Sequence, residues 1–286
     1  MLVLVIWALN GVVLKTALEH VRPVSLTTAR MLIAGLFMLG LALLRRRHPF
    51  PPPDLRVLVP ASLIGIVLNQ IAFTTALHLS TVVDVQLIIG LGPILTVLFF
   101  SLWTRKLPGP HALVALGLGL AGVLLVVLAS GRGQGGSLLG DLVGLITPAT
   151  WGLYLLISNE AGKRFQAGLF TTWTLLVAVV ILAPLTLLQP PGTDDWLPAL
   201  PALAYASFVA TGIGYALFFW AIPRLGVTAG AIYMYLQPPL GALAGAVVLH
   251  EHFGLLQAVG AAAILAAAYL GSRGSRPAPG RTEPAR

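Results

Sequence analysis

The sequence predicts an all-α integral membrane protein of ten transmembrane helices arranged as two inverted five-helix repeats. Three observations predict it: apolar runs as long as a bilayer is thick, Lys and Arg segregated between alternate loops, and an internal match between the halves. Hydrophobic residues make up 57% of the 286 and charged residues only 9%, against about 25% charged in a soluble domain. The mean hydropathy is +0.92. A hydrocarbon core of ~30 Å needs roughly 20 residues of helix at ~1.5 Å each. Ten such runs fall near 2–18, 24–44, 56–77, 82–103, 110–129, 139–158, 168–188, 200–221, 227–249 and 255–271. They are continuous rather than alternating and about twice the length of a barrel strand, which predicts helices and not a β-barrel.

Loop charge supplies the orientation. With both termini cytoplasmic, the inside segments carry Arg45, Arg46, Arg47, Arg56, Arg105, Lys106, Lys163, Arg164, Arg224, Arg273, Arg276, Arg281 and Arg286. The outside loops carry only Arg22 and Arg132. Positive charge collects on the cytoplasmic side of short loops, and a missed or extra span would spoil the bias. The formal charge of +8 is thereby assigned to orientation in a cytoplasmic membrane, and no nucleic-acid partner is expected. The chain has no cysteine, which leaves no disulfide or thiolate-metal chemistry. Met1 runs into apolar sequence with no basic leader, so no cleavable signal peptide is expected.

Internal repetition supplies the architecture. A shift of 144 pairs Trp7 with Trp151 and Thr27-Thr28 with Thr171-Thr172, and a shift of 145 pairs Ala61-Ser62 with Ala206-Ser207, Phe73 with Phe218 and Pro93 with Pro238. Five spans per copy is an odd number, so the second copy enters the membrane inverted, an architecture that serves alternating access. The predicted organisation is a first repeat at 1–129, a glycine-rich linker at 130–138, a second repeat at 139–271 and a disordered basic cytoplasmic tail at 272–286.

Two spans are interrupted at matching places, by Gly90-Leu91-Gly92-Pro93 and by Gln237-Pro238-Pro239. Proline removes one helix bond and clashes with the carbonyl four residues back. Pro93 and Pro238 are therefore expected to act as hinges. Backbone freed at membrane depth must face protein or a wet cavity, and matching interruptions in two halves point to a site at their interface.

Polar and aromatic side chains inside spans supply the candidate site. Trp7 and Asn10 share a face of the first span, and Trp151 and Tyr154 the equivalent face of the sixth. Ser207, Thr211 and Tyr215 follow at four-residue spacing, and Ser62, Asn69 and Phe73 share another face. Gln86 and Gln237 lie on the interrupted spans, with Tyr235 just before Gln237. The substrate-binding candidates are Trp7, Asn10, Asn69, Gln86, Trp151, Tyr215, Tyr235 and Gln237, the aromatics giving apolar contact and the amides orienting a ligand. The competing role for each is helix packing, with amides bridging neighbours at about 0.6 kcal/mol each.

For Arg30, a substrate carboxylate, snorkelling and a pair with Asp84 all stay open. Glu251 is expected near the start of the tenth span, where a carboxylate suits the helix dipole. No metal site is expected, since His250 and His252 are two apart and point to opposite sides of a helix. Gly117-Leu118-Gly119-Leu120-Ala121-Gly122 matches G-x-G-x-x-G but lies inside an apolar span without a preceding strand, and is assigned to helix packing like Gly140-x-x-x-Gly144 and Gly241-x-x-x-Gly245.

Ile6-Trp7-Ala8-Leu9-Asn10 with Lys15, Ala29-Arg30, Leu236-Gln237-Pro238, and His250-Glu251 followed by Gln257-Ala258-Val259-Gly260 occur in an order and spacing that resembles the EamA-like permeases of the drug/metabolite transporter superfamily. Ala8 stands where that family usually has Gly, and Arg105-Lys106 where an acidic residue often stands. The resemblance covers nearly all of 1–271. It implies a multipass permease, an exporter in the first instance, of small metabolites such as amino acids or drugs. No cofactor is expected; the partners are a small-molecule substrate and the lipid bilayer, with a homodimer left open. The alternatives are a membrane enzyme acting on a lipid or lipid-linked substrate and a non-transporting receptor.

Overall fold

The computed structural model describes residues 2–44, 54–105, 109–130, 136–162, 167–189, 194–218 and 237–274. These residues form ten helices and no strand. They are α1 (Leu2–Leu18), α2 (Pro23–Leu44), α3 (Leu55–Leu79), α4 (Val82–Trp103), α5 (Pro110–Ser130), α6 (Leu138–Gly144 continued by Ile146–Gly162), α7 (Ala167–Leu187), α8 (Trp196–Phe218), α9 (Gln237–Val248) and α10 (Leu255–Gly274). Tyr235, most of the linker and the tail beyond Gly274 lie outside the described residues. Helix α10 runs on to Gly274, three residues into the stretch expected to be disordered, and the first helix-breaking proline beyond it is Pro277.

The helix starts follow local chemistry. Pro23 and Pro110 open α2 and α5, where a missing N–H costs nothing. Asp54 caps α3 through the Arg56 N–H at 2.9 Å, and Asp195 caps α8 through that of Leu197. Thr81 caps α4: its hydroxyl oxygen accepts from the Asp84 N–H at 3.0 Å while the hydroxyl donates to the Asp84 carboxylate at 2.8 Å.

The break in α4 falls at Gly90-Leu91, ahead of Pro93, which is in the first turn of the second half-helix. Pro93 has no N–H to give Ile89, and the turn before it tightens: the Gly90 N–H donates to Leu87 and the Leu91 N–H to Ile88, each three residues back. Pro238 is the second described residue of α9. Helices α3 and α8 each contain a wider π turn, at Leu63–Leu68 and Tyr205–Ile213. In α8 it is fixed by the Thr211 hydroxyl, which donates to the Ala206 carbonyl five residues back at 2.7 Å.

Among the described residues, six helices are long and apolar enough to cross a bilayer: Pro23–Leu44, Leu55–Leu79, Val82–Trp103, Leu138–Ser158, Gly168–Leu187 and Trp196–Phe218. Three shorter apolar stretches accompany them, Leu2–Leu18, Leu113–Ala129 and Leu255–Ala267. The outer surface carries large apolar side chains such as Leu124, Val180 and Leu243, while Thr27, Ser62, Asp84, Gln86 and Thr174 are fully buried. Apolar outside and polar inside is the distribution of a protein dissolved in lipid.

Helices from the two halves of the chain pack on each other: α1 against α9, α2 against α7 and α8, α3 against α6, α4 against α6 and α9, and α5 against α10. All three hydrophobic clusters draw side chains from both halves. Between lipid-dissolved helices apolar burial gives little drive, so association depends on close approach. Gly122 of α5 and Gly260 of α10 supply it: a methyl on either would lie 2.7 or 2.6 Å from the other's carbonyl oxygen. Gly119 of the same motif also faces neighbours, whereas Gly117 meets nothing within 4 Å. The packing role thus falls on two of the three motif glycines. Gly122→Leu is expected to lower stability by about 1–3 kcal/mol through overpacking, seen as a lower Tm in detergent; an unchanged Tm would contradict the crossing.

Candidate functional site

Three aromatic rings from three helices meet in the interior. Trp7 of α1 lies edge-on to Trp151 of α6, with centroids 6.3 Å apart, and to Tyr215 of α8 at 5.7 Å. Trp151 and Tyr215 are 6.3 Å apart and close the triangle, while Tyr154 and Phe218 extend it at 5.7 Å from Trp151 and 5.3 Å from Trp7. Trp7 is held in place by its indole N–H, which donates to the Ala210 carbonyl at 2.9 Å. Gly214 makes room for that ring, since a Cβ there would lie 2.6 Å from the indole nitrogen. A second bond between the same helices runs from the Tyr205 hydroxyl to the Ile6 carbonyl at 3.0 Å.

The amides divide. Asn69 donates to the Thr147 carbonyl at 2.8 Å and the Thr150 hydroxyl at 3.0 Å, and accepts from Gln70 at 2.8 Å. It ties α3 to α6 and is satisfied, which is the packing role. Gln86 is fully buried and wedged between α1 and α9: a Cβ at Gly11 would fall 2.6 Å from its Nε2, and one at Gly241 2.5 Å from its Cδ. Its Nε2 reaches the Ala8 carbonyl at 3.4 Å, but its Oε1 has no donor among the described residues. Asn10 is buried, and its Oδ1 is also without a donor there. Gln237, the first described residue of α9, is half-buried. Next to it Pro238 approaches the break in α4, its Cγ 3.5 Å from where a Gly90 Cβ would stand.

Arg30 corrects one expectation. It makes no pair with Asp84, whose carboxylate accepts from Thr81 and Gln257. Seven residues into α2, it is 3% exposed and donates to Gln70 of α3. Residue spacing does not single out Gln70, although at a shift of 145 it is the counterpart of Tyr215.

A bundle of apolar-surfaced helices with aromatic and amide side chains gathered between them defines a multi-helix membrane protein. A profile of the EamA-like transporter family matches residues 1–128 and 138–273, and the chain belongs to that family. It is 32% identical to the uncharacterized transporter YdeK of Bacillus subtilis over 89% of each chain. It is 29% identical to the uncharacterized inner membrane transporter YedA of Escherichia coli, over 81% of this chain and 71% of that one. A third relative, at 28% over 68% of this chain and 61% of its own, is the S-adenosylmethionine/S-adenosylhomocysteine transporter of Chlamydia trachomatis. A solved crystal structure shares the fold with a TM-score of 0.65, covering 94% of this chain and 93% of its own at 20% identity.

One end of the bundle is stitched shut by polar contacts. The Glu251 carboxylate accepts from the Val82 and Val83 N–H groups, both at 2.9 Å. Glu251 therefore caps α4 and not α10 as expected: His250 takes a positive φ of 54°, which turns the chain across, and Gln257 accepts from Gly254 at the α10 start instead. Lys15 of α1 donates to the Ser80 carbonyl at 2.7 Å, where cations suit a helix C-terminus. Arg22 donates to Asp194 through its backbone N–H and its Nε, both at 3.0 Å, and the Asp195 N–H donates to the His20 carbonyl at 2.9 Å.

The hydrogen bonds from Arg22 hold the Asp194 carboxyl below the usual carboxylate range and push the guanidinium up. A folded-state value below the unfolded one, near 3.9, makes this contact stabilising above about pH 4 and lost as pH falls through the folded value. The Tm difference between the parent and Asp194→Asn is accordingly expected to shrink from pH 7 to pH 3. A difference constant over that range would contradict the contact.

Proposed function

We propose that the protein is a cell-membrane permease with ten spans and cytoplasmic termini, which exports a small organic metabolite by rocking one inverted five-helix repeat against the other. The observation that carries this proposal is the meeting of Trp7, Trp151 and Tyr215 from α1, α6 and α8. Trp7 and Trp151 are equivalent positions of the two halves, and equivalent residues meet where a two-fold axis relates inverted repeats. The interrupted helices α4 and α9 approach each other at Gly90 and Pro238. The two π turns support the same repeat: moved by 145, Leu63–Leu68 falls on residues 208–213, inside Tyr205–Ile213. The bias of loop charge supports an outside position for the stitched end.

The substrate is a small molecule with an apolar or aromatic body, by the chemistry of three rings and nearby amides. Amino acids and drugs fit that description, and the Chlamydia relative's named substrates add nucleoside-bearing amino acids. The test is uptake and efflux of labelled amino acids, nucleosides, cationic drugs and S-adenosylmethionine in cells overproducing the protein or a Trp7→Ala, Trp151→Ala variant. Export of one class is expected, reduced roughly tenfold or more in the variant at equal membrane levels, since buried aromatic anchors contribute about 2 kcal/mol or more. Equal rates in both would contradict the aromatic site.

A further inference from the structure

Arg30 is a buried cation with no carboxylate partner among the described residues. It stands roughly 10 Å into α2 at ~1.5 Å per residue, too deep and too enclosed at 3% exposure to snorkel. A guanidinium presents five N–H groups in a planar fork. Gln70 takes one through Nη2, and Nε and Nη1 find no acceptor among the described residues.

The carboxylates whose side chains are described are committed elsewhere or lie at the bundle ends. Asp84 accepts from Thr81 and Gln257, Asp141 from Ser80, Glu251 from the α4 backbone and Asp194 from Arg22. Asp54 and Asp195 cap α3 and α8 at their outermost turns, and Glu19 follows the end of α1. Charges inside membranes pair with one another or mark a substrate path.

The surroundings of Arg30 belong to the site already described. Its acceptor Gln70 donates to Asn69, which donates to Thr150 beside Trp151 of α6, and the Tyr215 hydroxyl lies within electrostatic reach of the guanidinium. Tyr154 keeps a fully buried hydroxyl without a partner among the described residues. Tyr215 is the ring that touches Trp7 and Trp151. One molecule can thus place an oxyanion on the guanidinium and an apolar body against the rings. The matching group is planar with two acceptor oxygens, since the fork of Arg binds a carboxylate bidentately.

We propose that Arg30 is the anion-binding group of the permease site and that the substrate is a small organic carboxylate with an apolar or aromatic body. This rests on the permease reading above, and deepens it by assigning the substrate's charged group.

The test uses the purified full-length protein, titrated with matched acids and amides while tryptophan fluorescence is read: phenylalanine and phenylalaninamide, leucine and leucinamide, phenylacetate and phenylacetamide. At least one acid is expected to bind saturably with its amide tenfold weaker or worse. Arg30→Gln should abolish that binding with helix content and monodispersity retained, and Arg30→Lys should weaken it about tenfold because the fork is lost. Gln70→Glu, which supplies an internal carboxylate to the guanidinium, should also abolish it with a Tm no lower than the parent's. No acid binding, amides binding as well as acids, or acid binding that survives Arg30→Gln or Gln70→Glu would overturn the proposal. Acid binding with the expected variant losses, but no movement of that acid into proteoliposomes, would keep the Arg30 site and sink the permease reading.

Discussion

In hydrocarbon there is no water to satisfy a polar group, so buried N–H, carbonyl, amide and charged groups turn to the protein interior, where protein, a wet cavity or a bound solute can partner them. The architecture follows from that constraint. Side chains facing outward are apolar, and the polar ones turn inward, where they connect helices that are distant in sequence. Arg30, Gln70, Asn69, Thr147 and Thr150 form one such chain through α2, α3 and α6. Each interhelical bond contributes only about 0.6 kcal/mol, so the chain's role is to set which faces meet. Glycine contacts such as Gly122 on Gly260 then set how closely they meet.

The same constraint explains where the backbone departs from regular helix. The break at Gly90-Leu91 and the π turns in α3 and α8 are internal features of long apolar helices. Freed carbonyls there are tolerated because protein surrounds them. Gln86 is packed between Gly11 and Gly241, so one amide of α4 touches both α1 and α9.

Much of this was legible in the residues. The helical runs and the interruption near Pro93 come from length and proline chemistry, which are local properties. Three features were not. Glu251 caps α4 instead of α10 because a left-handed His250 sends it sideways, and no spacing encodes that turn. Asn69 shares a face with Ser62 only on a regular helix; the intervening π turn at Leu63–Leu68 shifts the face, and Asn69 ends on Thr147 and Thr150. Arg30 could have paired with Asp84 by depth alone, but Gln257, from the other half of the chain, occupies that carboxylate. Contacts between halves are what a single sequence hides best.

The central claim is that the stitched end opens and closes in each transport cycle. The chain has no cysteine, so a pair introduced by Arg22→Cys and Asp194→Cys can be bridged by a short thiol crosslinker without side reactions. Transport in proteoliposomes should stop when the bridge forms and return when a cleavable linker is reduced. Full-rate transport with the bridge intact would contradict alternating access through this end.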